Sequence, residues 1–322
     1  MSSDNDLIVL FSSLVTNIHK YGGPILILIG TINCLLSLCV FSRKTLRKNP
    51  CSIYLIASNV SSIFFIYTST LYSTLSFGYS IDPTRYNLFY CSFRFYTMFL
   101  FEILPPCYFI LASIDRVFLT SHNALIRQKS TVHLAYISIV LVTLFWSIIH
   151  IHSFIFMYIR IFALGISGCF FQSGLYLTIM SYYPLIVKGI LIPSLMIIFG
   201  LWTVKNIRTK TPVVSGTRRI TGIMQSDRLP SCSTQAKDRL LIKILLIDIV
   251  IYIVFNLIQS IIVIYQQATL SQTKSSLRVT TERLVFVTSL TGTAIPFCIG
   301  TFTNLVLSKH FRREMRNALL CK

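Results

Sequence analysis

The stretch CSFRFYTMFLFEILPPCYFILASIDRV, residues 91–117, decides the fold of this chain. It is long and apolar enough to cross a bilayer, which takes about 20 residues as a helix. It ends in the charged pair Asp115 and Arg116. Charged side chains are costly at membrane depth, so such a pair marks a functional site. The stretch therefore predicts a membrane-spanning helix with a charged site at one end.

The composition of the whole chain agrees with a membrane protein. Of its 322 residues, 54% are hydrophobic and 12% are charged, and the mean hydropathy of +0.70 is far above that of soluble domains. Only helices and closed barrels satisfy their backbone polar groups inside lipid, and the apolar runs are too long and continuous for barrel strands. The sequence predicts an all-α membrane protein, a bundle of seven transmembrane helices. We expect the seven spans at residues 22–41, 53–77, 90–119, 132–156, 175–202, 240–265 and 284–307.

The regions outside the spans are short, apart from one loop. We expect an amino-terminal tail over residues 1–21, a seven-helix domain over 22–307 with a long loop at about 205–239, and a carboxy-terminal segment over 308–322. Basic and apolar residues alternate over 309–320, which is typical of an amphipathic helix lying along the membrane face. Cys321 follows this short eighth helix as either a palmitoylation site or a plain thiol.

The net charge of +19 has an explanation in membrane topology. Most of the 29 lysines and arginines lie in the tail and in alternate loops, on one side of the predicted spans. The positive-inside rule makes that side cytoplasmic, so the amino terminus is outside. The same residues attract the anionic lipid of the inner leaflet. The charge therefore predicts contact with the bilayer rather than with nucleic acid.

Two of the nine cysteines stand apart from the rest. Most lie in apolar spans, where a thiol is an ordinary small hydrophobic group. Cys91 opens the third span on the outer side, and Cys169 lies in the outer loop before the fifth span. Both face the oxidising compartment, where disulfides persist. We predict that they pair, with two free thiols as the alternative.

Several short motifs occur in a recognisable order. They are Gly30-x-x-Asn33, Asn49-Pro50, Cys91 followed by Asp115-Arg116, Trp146, Pro193, Lys237-Asp238-Arg239 and Phe311-Arg312-Arg313. By these motifs the chain resembles the rhodopsin-like (class A) G-protein-coupled receptors, and among them the receptors for FMRFamide-like neuropeptides. The resemblance covers residues 30–316. It implies a receptor in the plasma membrane with an extracellular peptide or other small ligand and a heterotrimeric G protein as its partners.

The resemblance assigns the signalling role to Arg116. In the resting state of the family, an arginine here pairs with the preceding acid, Asp115, and with an acid at the inner end of the sixth helix, a role open to Asp238. Activation frees the arginine to contact the G protein. The alternative is an arginine that merely extends its charge to the membrane interface. Asn33 is expected to face the bundle and to bond neighbouring backbone, with packing alone as the alternative. Trp146 is a family mark or an apolar filler, and Pro193 is expected to distort the fifth helix.

The ligand is expected in the outer half of the bundle. Glu102 would meet a basic ligand group, pair internally with Lys188, or remain protonated. Aromatic residues, including Tyr96, would either wall the cavity or form an interfacial belt, and Met98 stands where amine receptors keep an aspartate. The candidate contacts are Phe95, Met98, Phe99, Glu102, Tyr182, Tyr183 and Lys188.

Several motifs of the family are missing. Ser62 stands at the position of the sodium-site aspartate, which makes a sodium site improbable because a cation site needs a charged ligand. Gly300, Thr301 and Asn304 replace the Asn-Pro-x-x-Tyr motif of the seventh helix, and the Cys-Trp-x-Pro motif is absent from the sixth. These differences predict altered or weak coupling, or partners other than G proteins.

An ion channel or a transporter is the competing class. Neither an internal repeat nor a ring of pore-lining polar residues stands out in the sequence. No arrangement of nucleophile, base or metal ligands points to an enzyme, so we expect no catalytic site, metal site or cofactor. His150 and His152 point to different sides of a helix, and the buried Asp248 is expected to have an internal hydrogen-bond partner.

Overall fold

The structure, a computed structural model, describes residues 2–121, 123–161, 167–172, 174–209, 232–269, 272–307, 311–313 and 315–316. Over these residues the chain is almost entirely helical, with one two-stranded sheet. Seven helices are long and apolar enough to cross a membrane, which confirms the predicted seven-helix bundle and a multi-pass membrane protein. From the first to the seventh span, they cover Asp4–Phe41, Pro50–Gly78, Leu88–Thr120, Val132–Phe154, Leu175–Asn206, Ile242–Ala268 and Ser276–Gly300.

Several of the spans are built from more than one helical segment. The α-helices are α1 (Ser2–Asn17), α2 (Gly23–Phe41), α3 (Lys44–Arg47), α4 (Pro50–Phe65), α5 (Leu71–Ser73), α6 (Leu88–Thr120), α7 (Ala124–Arg127), α8 (Val132–Ile149), α9 (Leu175–Tyr183), α10 (Ile192–Thr209), α11 (Cys232–Ala268), α12 (Ser276–Gly292) and α13 (Ile295–Leu307). Wider π-helical turns join some of them, at Ile18–Gly22, Ile66–Thr70, Thr74–Gly78 and Pro184–Leu191. The strands are β1 (Met157–Ile161) and β2 (Ser167–Phe171).

The first span begins earlier than the sequence suggests. Helix α1 starts at Ser2 and continues through the π-helical turn Ile18–Gly22 into α2, so the expected tail is helical. Pro24 lies two residues after the end of the π-helical turn, so its missing backbone donor falls where the regular α-helical hydrogen bonding is already interrupted. Helix α1 also packs against α12. Local sequence rules would end the helix at Gly22 and Gly23. The contact of α1 with the seventh span stabilises a helix that continues through them.

The third span lies at the centre of the bundle. Two thirds of its apolar window (67%) is buried, compared with 11% for the fourth span, which mostly faces the surroundings. Helix α6 packs against α4 on one side and α10 on the other. A large part of the buried apolar core, including Ile103 and Ile110, belongs to this helix. Side chains on α6 therefore reach the interior of the bundle along the whole length of the helix.

The three residues expected to have structural roles occupy interior or distorted positions. The Asn33 amide donates a hydrogen bond to the backbone oxygen of Phe297, 3.2 Å away in the seventh span, which confirms the predicted bond to a neighbouring backbone. Trp146 packs against the main core, and its ring stacks on that of His150. Pro193 lies two residues after the end of the π-helical stretch Pro184–Leu191, the kind of irregularity that a missing backbone donor favours.

The first span approaches both the second and the seventh span closely at Gly30. A Cβ atom there would lie 2.7 Å from both the Cys298 sulfur and the Ile66 Cδ1 atom, closer than van der Waals contact permits. We therefore expect Gly30→Ala to lower the free energy of unfolding by about 1–3 kcal/mol through overpacking. Gly22→Ala is the matched control, since a Cβ atom at Gly22 would have nothing within 4 Å. Thermal unfolding of the purified variants would contradict this expectation if both melted at the wild-type temperature.

Candidate functional site

Helix α6 carries both ends of the candidate site. It runs without a break from Leu88 to Thr120, and the Asn87 side chain caps its first turn by accepting from the Phe89 nitrogen at 2.9 Å. Pro105 and Pro106 lie near its middle. Each proline lacks a backbone donor and weakens the helix locally. The amino-terminal half of α6 faces a cavity, and its carboxy-terminal end holds the charged pair. In the predicted topology these are the outer half and the inner end of the helix, and they are named so below.

The outer cavity is closed on one side by a hairpin that a disulfide fixes. Strands β1 and β2 pair antiparallel, with Ile159 opposite Cys169. Cys169 is bonded to Cys91 at the start of α6, as predicted. Phe171 at the end of β2 reaches the cavity wall. The disulfide therefore holds the hairpin over the outer end of the bundle.

The cavity has a volume of about 320 Å³, within the range of small-molecule sites. Its wall is mainly apolar and aromatic, with a few polar and charged groups. Five of the seven predicted ligand contacts line it, and they are Phe95, Met98, Phe99, Glu102 and Lys188. Other lining residues come from the first, second, sixth and seventh spans and include His19, Phe77, Gln259 and Phe286.

The other two predicted contacts lie away from the cavity lining. Tyr182 is 45% exposed on the outside of the bundle. The Tyr183 hydroxyl is 2.8 Å from the His150 ring nitrogen, and its ring packs edge-on against Phe99 behind the cavity wall. Tyr96 instead packs against Phe154. The fifth span is rotated so that Lys188 lines the cavity and the two tyrosines do not.

Glu102 and Lys188 form an ion pair inside the cavity. The lysine Nζ donates to the carboxylate at 2.6 Å, and the two side chains are only 7% and 13% exposed. Of the three alternatives open for Glu102, the structure has the internal pair with Lys188. Lys188 lies on the π-helical stretch of the fifth span. The pair neutralises both charges within the cavity.

Arg94 is a cavity residue that sequence reasoning did not select. Its guanidinium lies 3.7 Å from the ring centre of Tyr72 and 4.8 Å from that of Phe95. Arg94 and Glu102 are the charged residues between Cys91 and Asp115 in the third span. They lie eight residues apart and thus close to one face of the helix. Two charged residues near one face of a predicted span could therefore have identified Arg94 as a cavity residue from the sequence.

The Tyr72 ring is held in place by Asp82, outside the spans. The Tyr72 hydroxyl donates to the Asp82 carboxylate at 2.6 Å, and Thr84 and Arg85 donate to it at 2.6 Å and 3.1 Å. Burial acts to raise the pKa of Asp82, but the hydrogen bonds from Thr84, Tyr72 and Arg85 outweigh it and lower that pKa below its usual value. Asp82 therefore stays ionised and orients the ring under Arg94.

The inner end of α6 holds the predicted pair of Asp115 and Arg116. An Arg116 nitrogen lies 2.8 Å from the Asp115 carboxylate, and the arginine side chain is fully buried. The same nitrogen donates to the Asn49 side-chain oxygen, which also caps the start of α4. Ser130 donates to Asp115 at 2.6 Å. A buried charge with this many partners does not fit an arginine extending into the interface.

Asn49 and Ser130 were missed as partners of the pair. Asn49 was noted only as part of a motif, although an Asn before a proline is a frequent helix cap with a free side-chain acceptor. Asp238, the proposed second restraint, lies on α11, but its side chain is outside the described part of the chain. Cys321 and most of the expected eighth helix, residues 309–320, also lie outside the described residues.

A second polar site lies in the middle of the bundle around Asp248. Asn304 lies beside it in a narrow pocket, and neither the Asp248 Oδ1 nor the Asn304 Oδ1 atom has a hydrogen-bond partner among the described residues, so the expected internal partner stays a prediction. Asn33, Ser58, Ser62 and other small polar residues line the same narrow pocket. A Cβ atom on Gly300 would lie 2.9 Å from the Asp248 carboxylate, so glycine makes room for the acid.

The described residues hold no cluster of three His, Cys, Asp or Glu side chains that could bind a metal ion. No protein-family model and no curated protein sequence matches the chain.

Proposed function

We propose that the chain is a G-protein-coupled receptor of the plasma membrane. An extracellular ligand, which the resemblance suggests is a neuropeptide, binds in the outer cavity. Arg116 then contacts a heterotrimeric G protein at the inner face. In this orientation the amino terminus lies outside, as the distribution of basic residues predicts.

The observation that carries the proposal is the buried pair at the inner end of α6. A fully buried arginine costs several kcal/mol of desolvation unless it is paired and hydrogen-bonded, and Arg116 is held by Asp115 and Asn49. Asn49 belongs to the second span, and Ser130 precedes the fourth. Moving Arg116 would therefore release its contact with the second span and break its pair with Asp115, which Ser130 also binds. A switch requires two alternative states, and we propose that breaking these contacts produces the second one.

The cavity and the pair are joined by one helix. Glu102 at the cavity and Asp115 at the inner end are thirteen residues apart on α6, about 20 Å along the axis. Pro105 and Pro106 lie between them and weaken the helix there. A ligand that shifts the outer half of α6 can change its angle at the prolines, and the inner half carries Arg116. The absent seventh-helix tyrosine makes this route the main one we propose.

The test is a reporter assay for G-protein activation in cells that display the chain at their surface. The cells are screened with peptides carrying amidated or free carboxyl termini. We expect an activating peptide, and we expect Arg116→Gln to reduce the response at least tenfold at equal surface expression, because a neutral amide cannot replace the charged contact. Arg127→Gln is the matched control, since Arg127 is an exposed arginine near the same inner surface. An equal response from Arg116→Gln would contradict the proposal.

The Asp248 pocket favours a second candidate function. Ionisable residues inside a membrane often mark ion or proton pathways, and Asp248 lies in the middle of the sixth span among small polar residues. A channel or transporter would use this acid. Conductance or substrate uptake that is lost in Asp248→Asn, with no transducer response from the wild type, would support that function instead.

A further inference from the structure

Arg94 is a cavity cation without an acidic partner among the residues that the structure describes. Its Nε is buried and has no hydrogen-bond partner there. The five salt bridges found among described residues do not include it. Its contacts are instead with the faces of two aromatic rings, Tyr72 and Phe95. This contrasts with Lys188, which has a carboxylate partner inside the same cavity.

The acids of the outer half are already engaged or exposed. Asp82 pairs with Arg85, Glu102 with Lys188, and Glu282 with both Lys274 and Arg278. The remaining two are Asp4 and Asp6, on α1 at the amino terminus. The other five acids of the chain, Asp115, Asp227, Asp238, Asp248 and Glu314, belong to the inner half or to the cytoplasmic segments of the predicted topology. Asp82 is near enough to act on Arg94 electrostatically, but no carboxylate among the described residues lies within salt-bridge distance of its guanidinium. Its N–H groups are therefore open to a carboxylate from outside the chain.

The aromatic contacts also set the direction of binding. A ring stacked on a guanidinium occupies its face and leaves its N–H groups free to donate in the plane. A carboxylate matches that planar arrangement with two parallel hydrogen bonds. Below Arg94 the cavity wall continues with Phe95, Met98 and Phe99. Glu102 lies eight residues further along α6, about 12 Å inward, where Lys188 already neutralises it.

We propose that the cavity selects ligands with a carboxylate, bound by Arg94, next to an apolar or aromatic body. The proposal rests on the proposed function in one respect, that the outer cavity is the ligand site. The proposed ligand differs from the amidated FMRFamide-like peptides of the receptors that the chain resembles, because a neutral amide cannot neutralise Arg94. The carboxylate can come from the free terminus of a peptide or from an aryl or alkyl acid.

The test compares acids with their neutral amides on the purified full chain in lipid nanodiscs. One arm uses 4-phenylbutyrate and 4-phenylbutyramide, and the other uses the dipeptide Leu-Phe with a free or an amidated terminus. Saturation-transfer NMR titration gives each dissociation constant. We expect at least one acid to bind about tenfold or more tightly than its amide, because a charge-assisted bond to a buried group contributes this much. The arm with the larger preference identifies the source of the carboxylate.

Arg94→Gln removes the charge and should bring acid and amide to equal affinity. Its amide binding and its thermal unfolding report that the cavity is still formed. Arg278→Gln is the matched control, since Arg278 is a partly exposed outer arginine already paired with Glu282, and it should leave the preference unchanged. The proposal is overturned if no acid binds, if acid and amide bind equally to the wild type, or if the preference survives in Arg94→Gln.

This binding measurement is independent of signalling. An acid preference lost in Arg94→Gln, without any G-protein response in cells, would reject the proposed receptor function and keep the carboxylate site. A G-protein response to peptides, without an acid preference, would do the reverse.

Discussion

Replacing Asp115 with alanine is expected to raise ligand-independent G-protein activation and to lower the free energy of unfolding by about 3–5 kcal/mol. The alanine removes the carboxylate that pairs with the fully buried Arg116, while the neutral Asn49 side chain remains as a hydrogen-bond acceptor. Loss of this buried ion pair destabilises the arrangement seen in the structure, and in the proposed receptor a movement of Arg116 toward the cytoplasm would relieve that cost. A reporter assay normalised to surface expression measures the first effect, and thermal unfolding of the purified protein measures the second.

Two further variants separate the contributions to this restraint. Ser130→Ala removes only the hydroxyl that donates to Asp115, so a smaller loss of about 1 kcal/mol is expected. Asp238→Ala tests the proposed second restraint on the sixth helix through the same reporter. Basal activity at the wild-type level in both Asp115→Ala and Asp238→Ala would argue against the proposal that these acids restrain Arg116.

Glu102→Gln is the second substitution with a large expected effect. Lys188 is 13% exposed and has the Glu102 carboxylate at 2.6 Å. Removing the carboxylate strands a buried ammonium group, which costs about 3–5 kcal/mol of folding free energy. Thermal unfolding in detergent should show this loss, and the same variant should lose ligand-dependent signalling because the cavity wall rearranges.

A double-mutant cycle distinguishes the pair from the individual side chains. The variant Glu102→Gln with Lys188→Met removes both charges, so its unfolding temperature should recover most of the loss caused by Glu102→Gln alone. Arg85→Gln provides a matched comparison, because the Arg85–Asp82 pair is more exposed and its arginine is 39% accessible. Exposed pairs contribute only about 0–1 kcal/mol. Additive effects at Glu102 and Lys188 would show that the two side chains are not coupled.

Hydropathy predicted the spans well because each apolar run must cover the bilayer by itself. The largest difference lies at the amino terminus, where residues 1–21 were expected to precede the first span. The helix begins at Ser2 because α1 packs against α12 and the chain passes Gly22 and Gly23 by a π-helical turn. Contacts with a helix more than 250 residues away in sequence decide that boundary, and no local pattern contains them.

The residues of the candidate site were also only partly predictable from the sequence. Cys91, Cys169, Asp115 and Arg116 could be selected from position and residue type, and the structure joins them as predicted. Arg94 was passed over, because a single arginine near the outer end of a span looks like an ordinary interfacial residue. Its importance depends on Tyr72, which lies in the second span. Likewise, Tyr182 and Tyr183 share the predicted span with Lys188 but face other directions.

The sequence by itself determined the number and order of the membrane-spanning helices and the disulfide, and it identified the charged residues that the membrane would not otherwise tolerate. Those features depend on the transfer cost of each segment or side chain, which is a local property. Only the tertiary structure decided the partners: Lys188 for Glu102, Asn49 for Arg116, and aromatic rings for Arg94. Partner choice depends on how helices distant in sequence rotate and tilt against each other, and packing of the whole bundle sets those angles.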